Sequence, residues 1–472
     1  MALPSNLNYG NKPETASARS YTSMIQPEGA TSGYTPNSTI KFNIPCQANT
    51  VLVGSETYLK LTLSNILNGA ALNNYIRLDG AGIQGIFQRI RVQHGSTEIN
   101  DIDNYGNFAK SMMAAQQPSD AFSSKQNVMS GTFGGYNSSA NGQAFCPLVG
   151  EKLHPLGVEN YSGAIAIGVP PWSVGGVGSV PPRDYATSLI CYVGTLSGDK
   201  YIPCYEMTSS PLRLELQLVN SLYKFLTSNT ALVDNFRVDN VELACSFIEL
   251  SDDVIASLRQ KQLNSGSPLQ YVVPNYSNVS ANATIFNAVE TRVTHQLSAR
   301  YASLKSILCT MRGKPEGGNT FFPLNSTHFD LRQWRFRIGS QLIPSKQISS
   351  LQESYAELMK ALGSIADLNH EPSINFRTYA TDPIPLACTE PNSGLNSTTK
   401  SNSFIIGLDL ETYATADRDR LWAGMNTLTS DVFLNADFGG VLGGADQQVR
   451  FDFYSMFDQV LVFENGAVRV VK

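Results

Sequence analysis

The side chains able to do chemistry in this 472-residue chain are sparse and scattered. Five histidines (His94, His154, His295, His328 and His370) stand far apart, with no H-x-x-x-H and no cysteine pair beside them. A zinc site needs several such ligands at short spacings. The sequence therefore predicts no metal ligand, and the histidines read as surface or turn residues. Seven cysteines (Cys46, Cys146, Cys191, Cys204, Cys245, Cys309 and Cys388) are odd in number and form no C-x-x-C. They read as reduced thiols of a cytoplasmic or nuclear setting. Asp101-Ile-Asp103 could face a cation, but two acids in a turn are ordinarily solvated. Glu411, Asp417 and Asp419 read as decoration of helix starts. No G-x-S-x-G nucleophile elbow occurs. A glycosidase pair can be assembled from distant acids in any fold, and nothing here singles one out.

Two short motifs look like chemistry and lack its context. Gly80-Ala-Gly-Ile-Gln-Gly85 matches G-x-G-x-x-G, with Asp101 and Asp103 near the distance of a ribose-binding acid. Dinucleotide binding needs a helix to open at the glycines, so that its N-terminus meets the pyrophosphate. The next residues, Phe87-Gln-Arg-Ile-Arg-Val, have strand period instead, so the glycine segment reads as a flexible inter-strand loop. Asp437-Phe-Gly439 matches a kinase triplet without the His-Arg-Asp or glycine-rich loops that belong with it. The sequence thus predicts no enzyme: no catalytic residue, no cofactor site and no metal site.

Composition narrows the remaining classes. At about 150 residues per domain the length suggests three domains, or two if they are large β domains. The net charge is −5 and only 15% of residues are charged. That excludes a strongly basic binder of nucleic acid, which needs clustered Lys and Arg. A weakly charged surface suits packing against other protein, because few charges need desolvating. The N-terminal Met-Ala-Leu-Pro-Ser-Asn reads as no secretory signal, and no run approaches the ~18 apolar residues of a membrane span. The sequons at Asn278 and Asn396 then read as by-products of an Asn- and Ser-rich composition.

The elements that would position any site are mostly strands. Thr39–Ile44 puts Ile40, Phe42 and Ile44 on one face, Leu59–Leu63 repeats the pattern, and Leu212–Leu218 alternates four leucines with three polar residues. Such period-2 alternation marks half-buried antiparallel strands. Phe87–Gln93, Asn240–Leu250, Trp334–Ile338, Ser403–Leu410 and Val449–Tyr454 are further candidates. Asn465-Gly466 between two alternating runs predicts a closing hairpin over 460–471. Helices are few. Ser350-Leu-Gln-Glu353 is a capping box opening a helix that Gly363 can end. Tyr105 to about Ala114 is a counterpart, and Ser251-Asp-Asp253 caps a helix to about Gln262.

Two halves of the chain resemble each other. Phe87–Ser96, then Ile99 and a helix from Tyr105, parallels Trp334–Ser340, then Ile343 and a helix from Tyr355. Gly339 lies 339 − 95 = 244 residues after Gly95. Leu59–Leu63 has a partner in Ser303–Cys309, and Asn240–Leu250 in Asp458–Phe463. The expected organisation is an extended N-terminal arm over 1–36, a first β domain over 37–250, a helical linker over 251–270 and a second β domain over 271–472. The stretches 117–145 and 158–203 exceed ordinary loops and read as excursions packing on themselves or on a partner.

Taken in order, Ile338-Gly-Ser-Gln-Leu-Ile-Pro344 with the helix Ser354–Leu362, Ala299–Ile307, Tyr58–Leu63 and the closing Phe457–Val462 resemble the double jelly-roll major capsid proteins of double-stranded DNA viruses. The resemblance is to those of Polinton-like viruses and virophages in particular. The resemblance spans about residues 37–466. It implies an all-β fold of two tandem eight-stranded jelly-roll sandwiches, with a few short helices in loops. It also implies a structural role in the virion: three chains per pseudo-hexagonal capsomer, capsomers tiling an icosahedral capsid, and long loops rising as towers. The partners it implies are the chain itself, neighbouring capsomers, and minor capsid and penton proteins, with assembly in the host cytoplasm or nucleus. It transfers no catalytic residue. The arm holds Lys12, Glu14, Arg19 and Glu28, hence no net charge, so direct genome condensation is not expected of it. The alternative is a β-sandwich glycan-binding module or spike, with exposed aromatic platforms and a lone, non-tiling oligomer.

Overall fold

The structure is a computed structural model. It describes residues 18–29, 33–64, 67–68, 76–118, 125–131, 183–189, 200–228, 232–233, 235–266, 268–314, 324–363, 365, 372–374, 379, 403–412, 422–440, 446–464 and 466–472. Among these, eight strands build the two main sheets of the first half: β1 (Ala18–Ile25), β2 (Thr39–Ile44), β3 (Thr50–Ser64), β4 (Phe87–His94), β5 (Thr97–Asp103), β6 (Arg183–Thr187), β7 (Leu212–Leu218) and β8 (Arg237–Leu250). Eight more build the second: β9 (Leu269–Ile285), β10 (Thr291–Leu297), β11 (Leu304–Lys314), β12 (Leu331–Ile338), β13 (Gln341–Ile348), β14 (Ile405–Asp409), β15 (Val432–Phe438) and β16 (Gln447–Glu464). A final strand, β17 (Ala467–Val471), folds back on β16.

The two halves have one topology. The first forms sheets β1-β8-β3-β6 and β2-β7-β4-β5; the second forms β9-β16-β11-β14 and β10-β15-β12-β13. Every strand number rises by eight between them. Two four-stranded antiparallel sheets with this order make a jelly roll, so the chain is a double jelly roll. The alternation seen in the sequence sets the layers. Ile40, Phe42 and Ile44 face inward at 0% exposure, and β7 buries its four leucines while Arg213, Glu215 and Gln217 face outward. One apolar core runs through both rolls.

Helix α1 (Tyr105–Gln116) follows β5, and α3 (Leu351–Leu362) follows β13. Between the rolls lies α2 (Asp252–Ser265). At α3 the capping box forms: Ser350 Oγ accepts from Glu353 N at 3.1 Å. At α2 the Ser251 side chain makes no capping bond, and two acids in the first turn face the helix N-terminus instead. Gly95 and Gly339 close the equivalent β4–β5 and β12–β13 turns at φ +58° and +57°. A Cβ at either would meet Ser210 or Ser430 in the matching place, each at 3.4 Å.

Several expectations need correction. Residues 18–25 lie within the expected arm but form edge strand β1, paired with β8 from Ala18–Leu250 to Ile25–Leu243. An edge strand exposes most of its side chains, so ARSYTSMI carries little alternation; Tyr21 stacking on Phe247 at 5.6 Å anchors it. Residues 183–187 lie within the expected excursion 158–203 but form β6 against β3. Their one large apolar side chain, Tyr185, gives no period. Most of the expected excursions, 119–124, 132–145, 158–182 and 190–199, fall outside the described residues, as do residues 1–17.

Candidate functional site: the seam between the rolls

Helix α1 is buried on every side from Tyr105 to Ala115, although its own roll can cover only one face. The other face packs on the second roll. Phe108 lies 4.7 Å from Tyr276 and 5.1 Å from Tyr454, ring to ring. Within the first roll, glycine permits close approach of α1 to the segment before β4. Gly85, the last residue of the G-x-G-x-x-G segment, has its backbone 3.0 Å from where a Cβ on Gly106 would sit.

A polar network is buried beside these rings. Asp452 on β16 is fully buried. It accepts from Arg312 Nη2 at 2.7 Å, Arg450 Nε at 2.9 Å and Ser280 Oγ at 2.7 Å, all within the second roll. The first roll adds Asn104 Nδ2 at 3.3 Å. Asn107 Nδ2 donates to Thr310 Oγ1 at 2.8 Å and Tyr454 Oη at 3.0 Å. Burial pushes the Asp452 carboxyl up, but Arg312, Arg450 and Ser280 outweigh it and hold it below the usual carboxylate range. A carboxylate shared by two guanidiniums and several neutral donors is satisfied, and loss of any one partner leaves buried charge.

Other contacts extend the seam. Asn275 Nδ2 and Gln459 Nε2 both donate to the Ile99 carbonyl of β5, each at 3.0 Å. Lys110 on α1 donates to Leu324 O at 2.8 Å, and Leu324 N donates to Asp79 at 2.7 Å. Burial lowers the Lys110 pKa to about 8, against the pull of Asp79. The closing hairpin also crosses: Ser209 N donates to Gly466 O at 3.0 Å. Alongside runs an open polar groove of ≈ 610 Å³, with Arg89, Asp101 and Asp103 on one side and Tyr301 and Phe457 on the other.

The residues weighed for chemistry are dispersed over this frame. Gly82–Ile86 form a buried 3₁₀ turn that leads into β4, a packed element and not a flexible loop. Asp101 and Asp103 lie in β5, not in a turn; Asp101 pairs with Arg89, and Asp103 accepts from Gln88 at 2.9 Å. Glu411 turns to the buried Lys305 at 3.2 Å, which also meets Asp458 at 3.2 Å. Asp437 pairs with Arg292 at 2.7 Å across β10 and β15. His94 and His295 are buried, against the expectation of surface positions. His94 Nε2 lies 3.0 Å from Met207 O, and His295 packs edge-on against Phe451. Strand alternation hides such histidines, because an imidazole at an inward position reads as polar. His154, His370, Asp417, Asp419, Cys146, Cys191 and Cys388 fall outside the described residues. Among the described residues no three His, Cys, Asp or Glu side chains gather as a metal site.

Two jelly rolls of equal topology, joined edge to edge by a buried seam, define the double jelly-roll class known from viral capsids. The solved structures agree. A capsid chain of PBCV-1 matches with a TM-score of 0.59 and 8% identity, over 98% of this chain and 99% of that one. The Sputnik virophage structure solved by cryo-EM matches at 0.56 and 12%, over 100% of this chain and 92% of that one. The mavirus major capsid protein matches at 0.56 and 11%, over 100% and 95%. No protein-family profile and no curated protein matches the sequence.

Proposed function

We propose that this chain is the structural subunit of an icosahedral virus shell, a major capsid protein that assembles as homotrimers of six like rolls. The fold shared with the PBCV-1, Sputnik and mavirus capsid proteins supports the general role. The observation that carries the trimer is a seam with two unused ends. In the first roll α1 and β5 are covered by the second roll. Among the described residues, no roll lies beyond their counterparts α3 and β13. α3 buries only Ser354, Leu358 and Leu362, and on β13 Leu342 is 42% exposed. The receiving face of the second roll, β9 and β16, likewise has an open counterpart in β1 and β8.

The two receiving faces share one pairing register. Arg237-Val-Asp239 on β8 repeats Arg450-Phe-Asp452 on β16, each with its Arg Nε 2.9 Å from its Asp. The same register sets Met24 in the place of Asn275, since Ala18 pairs Leu250 where Leu269 pairs Phe463. Met24 is 44% exposed. A ring of three chains buries both open ends by placing β13 and α3 of one copy against β1 and β8 of the next. This gives a closed assembly with heterologous contacts. No catalytic step, cofactor or metal enters this role, and minor capsid or penton proteins are its further partners.

The test is mass photometry of the full chain and of Leu342→Lys and Met24→Lys. The wild type should be trimeric. Each variant should fall to monomer with its melting temperature within about 2 °C of the monomeric value, as expected for surface changes. A wild type that stays monomeric at micromolar concentration overturns the trimer. The glycan-binding alternative lacks its platform at the seam groove: Tyr301 stacks on Phe457 at 3.9 Å, and Phe457 is 2% exposed.

A further inference from the structure

Two segments of the first roll run side by side and are clamped at both ends. At one end Ile44 pairs with Leu212, where β2 meets β7. At the other, Leu52 and Ile202 exchange backbone hydrogen bonds, both at 2.9 Å. Between these clamps one segment carries Cys46 and the other Cys204. Cys46 Sγ donates to Ile44 O at 3.8 Å, and the Cys204 side chain is the neighbour that most perturbs its thiol. Cys204 is fully buried at the start of a 3₁₀ turn, and Cys46 is half-buried in the β2–β3 connection. Neither cysteine is needed to fill a site described above.

We propose that Cys46 and Cys204 are a built-in crosslinking site, closed to a disulfide by a small-molecule disulfide such as oxidised glutathione. The half-buried Cys46 thiolate attacks one sulfur of the reagent. The reagent's S–S bond breaks, one glutathione thiolate leaves, and a mixed disulfide stands on Cys46. Cys204 then loses its proton and attacks the Cys46 sulfur, expelling the second glutathione thiolate. The protein loses two thiol protons and gains one S–S bond, and the reagent is reduced to two thiols. Polarity within the pair favours this order. The neighbouring Cys204 thiol lowers the Cys46 pKa, while Cys46 and burial together raise that of Cys204. The lower-pKa, more exposed thiol is the attacking one.

The position gives the crosslink a consequence. The segment that starts at Cys204 is a joint. Glu206 faces Arg259 of α2 at 3.7 Å, and Ser209 N donates to Gly466 O of the closing hairpin. Beneath it Val51, Tyr205 and Ile255 form a small separate apolar cluster. Tying Cys204 to Cys46 fixes the joint to the first roll and closes a covalent loop of 204 − 46 = 158 residues.

The full chain is incubated with oxidised glutathione at pH 8 and mapped by mass spectrometry without reduction. The expected product is a Cys46–Cys204 linked peptide with an intact mass two daltons lower. Its melting temperature should rise by about 5 °C, as a closed long loop predicts, and return on reduction. Cys204→Ser should instead hold a stable glutathione adduct on Cys46, and Cys245→Ser should crosslink like the wild type. A wild type that keeps glutathione on Cys46, links either cysteine elsewhere, or does not react overturns the proposal. The wild-type map decides this even if a variant fails to fold.

Discussion

At the scale of single residues the seam rests on Asp452. Two guanidiniums, a serine and an asparagine converge on a carboxylate with no exposure. Asp452→Asn keeps the shape but leaves Arg312 and Arg450 without their buried counter-charge, so a loss of about 3–5 kcal/mol is expected. Denaturant titration of the two proteins measures it. The same residue predicts an acid limit. Its folded pKa lies below the ordinary carboxylate value. The stabilisation is therefore complete above the unfolded value, about pH 3.9, and is lost as pH falls through the folded one. Melting of the wild type should fall steeply below about pH 4, and Asp452→Asn should show a shallower fall there. Equal acid slopes in both proteins would count against this assignment.

Among the elements, those with strong periods were legible in the sequence and those shaped by neighbours were not. Leu212–Leu218, Thr39–Ile44 and the two helices that follow Gly95 and Gly339 stand where alternation and capping put them. β1, β5, β6, β9, β10, β13 and β15 went unread. β1 and β6 are sheet edges with polar side chains, and β10 alternates as TRVTHQL with a histidine at an inward position. The seam was the least legible part. Asn104, Asn107 and Lys110 look like ordinary helix polars until the second roll lies against them. A signal was nevertheless present in the repeated Arg-x-Asp at 237–239 and 450–452, visible once the halves are aligned. The closing hairpin can be tested at this scale. Gly466 has φ +76°, and an added Cβ would lie 3.2 Å from Thr208 Oγ1. Gly466→Val should cost about 1–3 kcal/mol in melting experiments, from backbone strain at positive φ. An unchanged melting temperature would show that the turn relaxes without cost.

For the whole molecule, the low charge and the edge strand β1 belong to one argument. A subunit whose flanks are covered by copies of itself loses assembly free energy for each unpaired charge it buries, and only 15% of this chain is charged. β1 is where a flank begins: it completes the first sheet and carries Met24 on the face proposed to receive the next chain. Two truncations separate its role from that of the residues before it. Deleting 1–17 leaves every described strand pair intact, so the melting temperature and the trimer should both survive. Shells seen by electron microscopy should then form poorly, the outcome expected if those residues tie neighbouring capsomers. Deleting 1–25 strips β8 of its neighbour over eight residue pairs. It bares Phe247, the ring under Tyr21, and removes Met24. Melting should drop by several degrees, and mass photometry should find monomer. A trimer that persists without β1 would move the contact between chains to another face of the rolls.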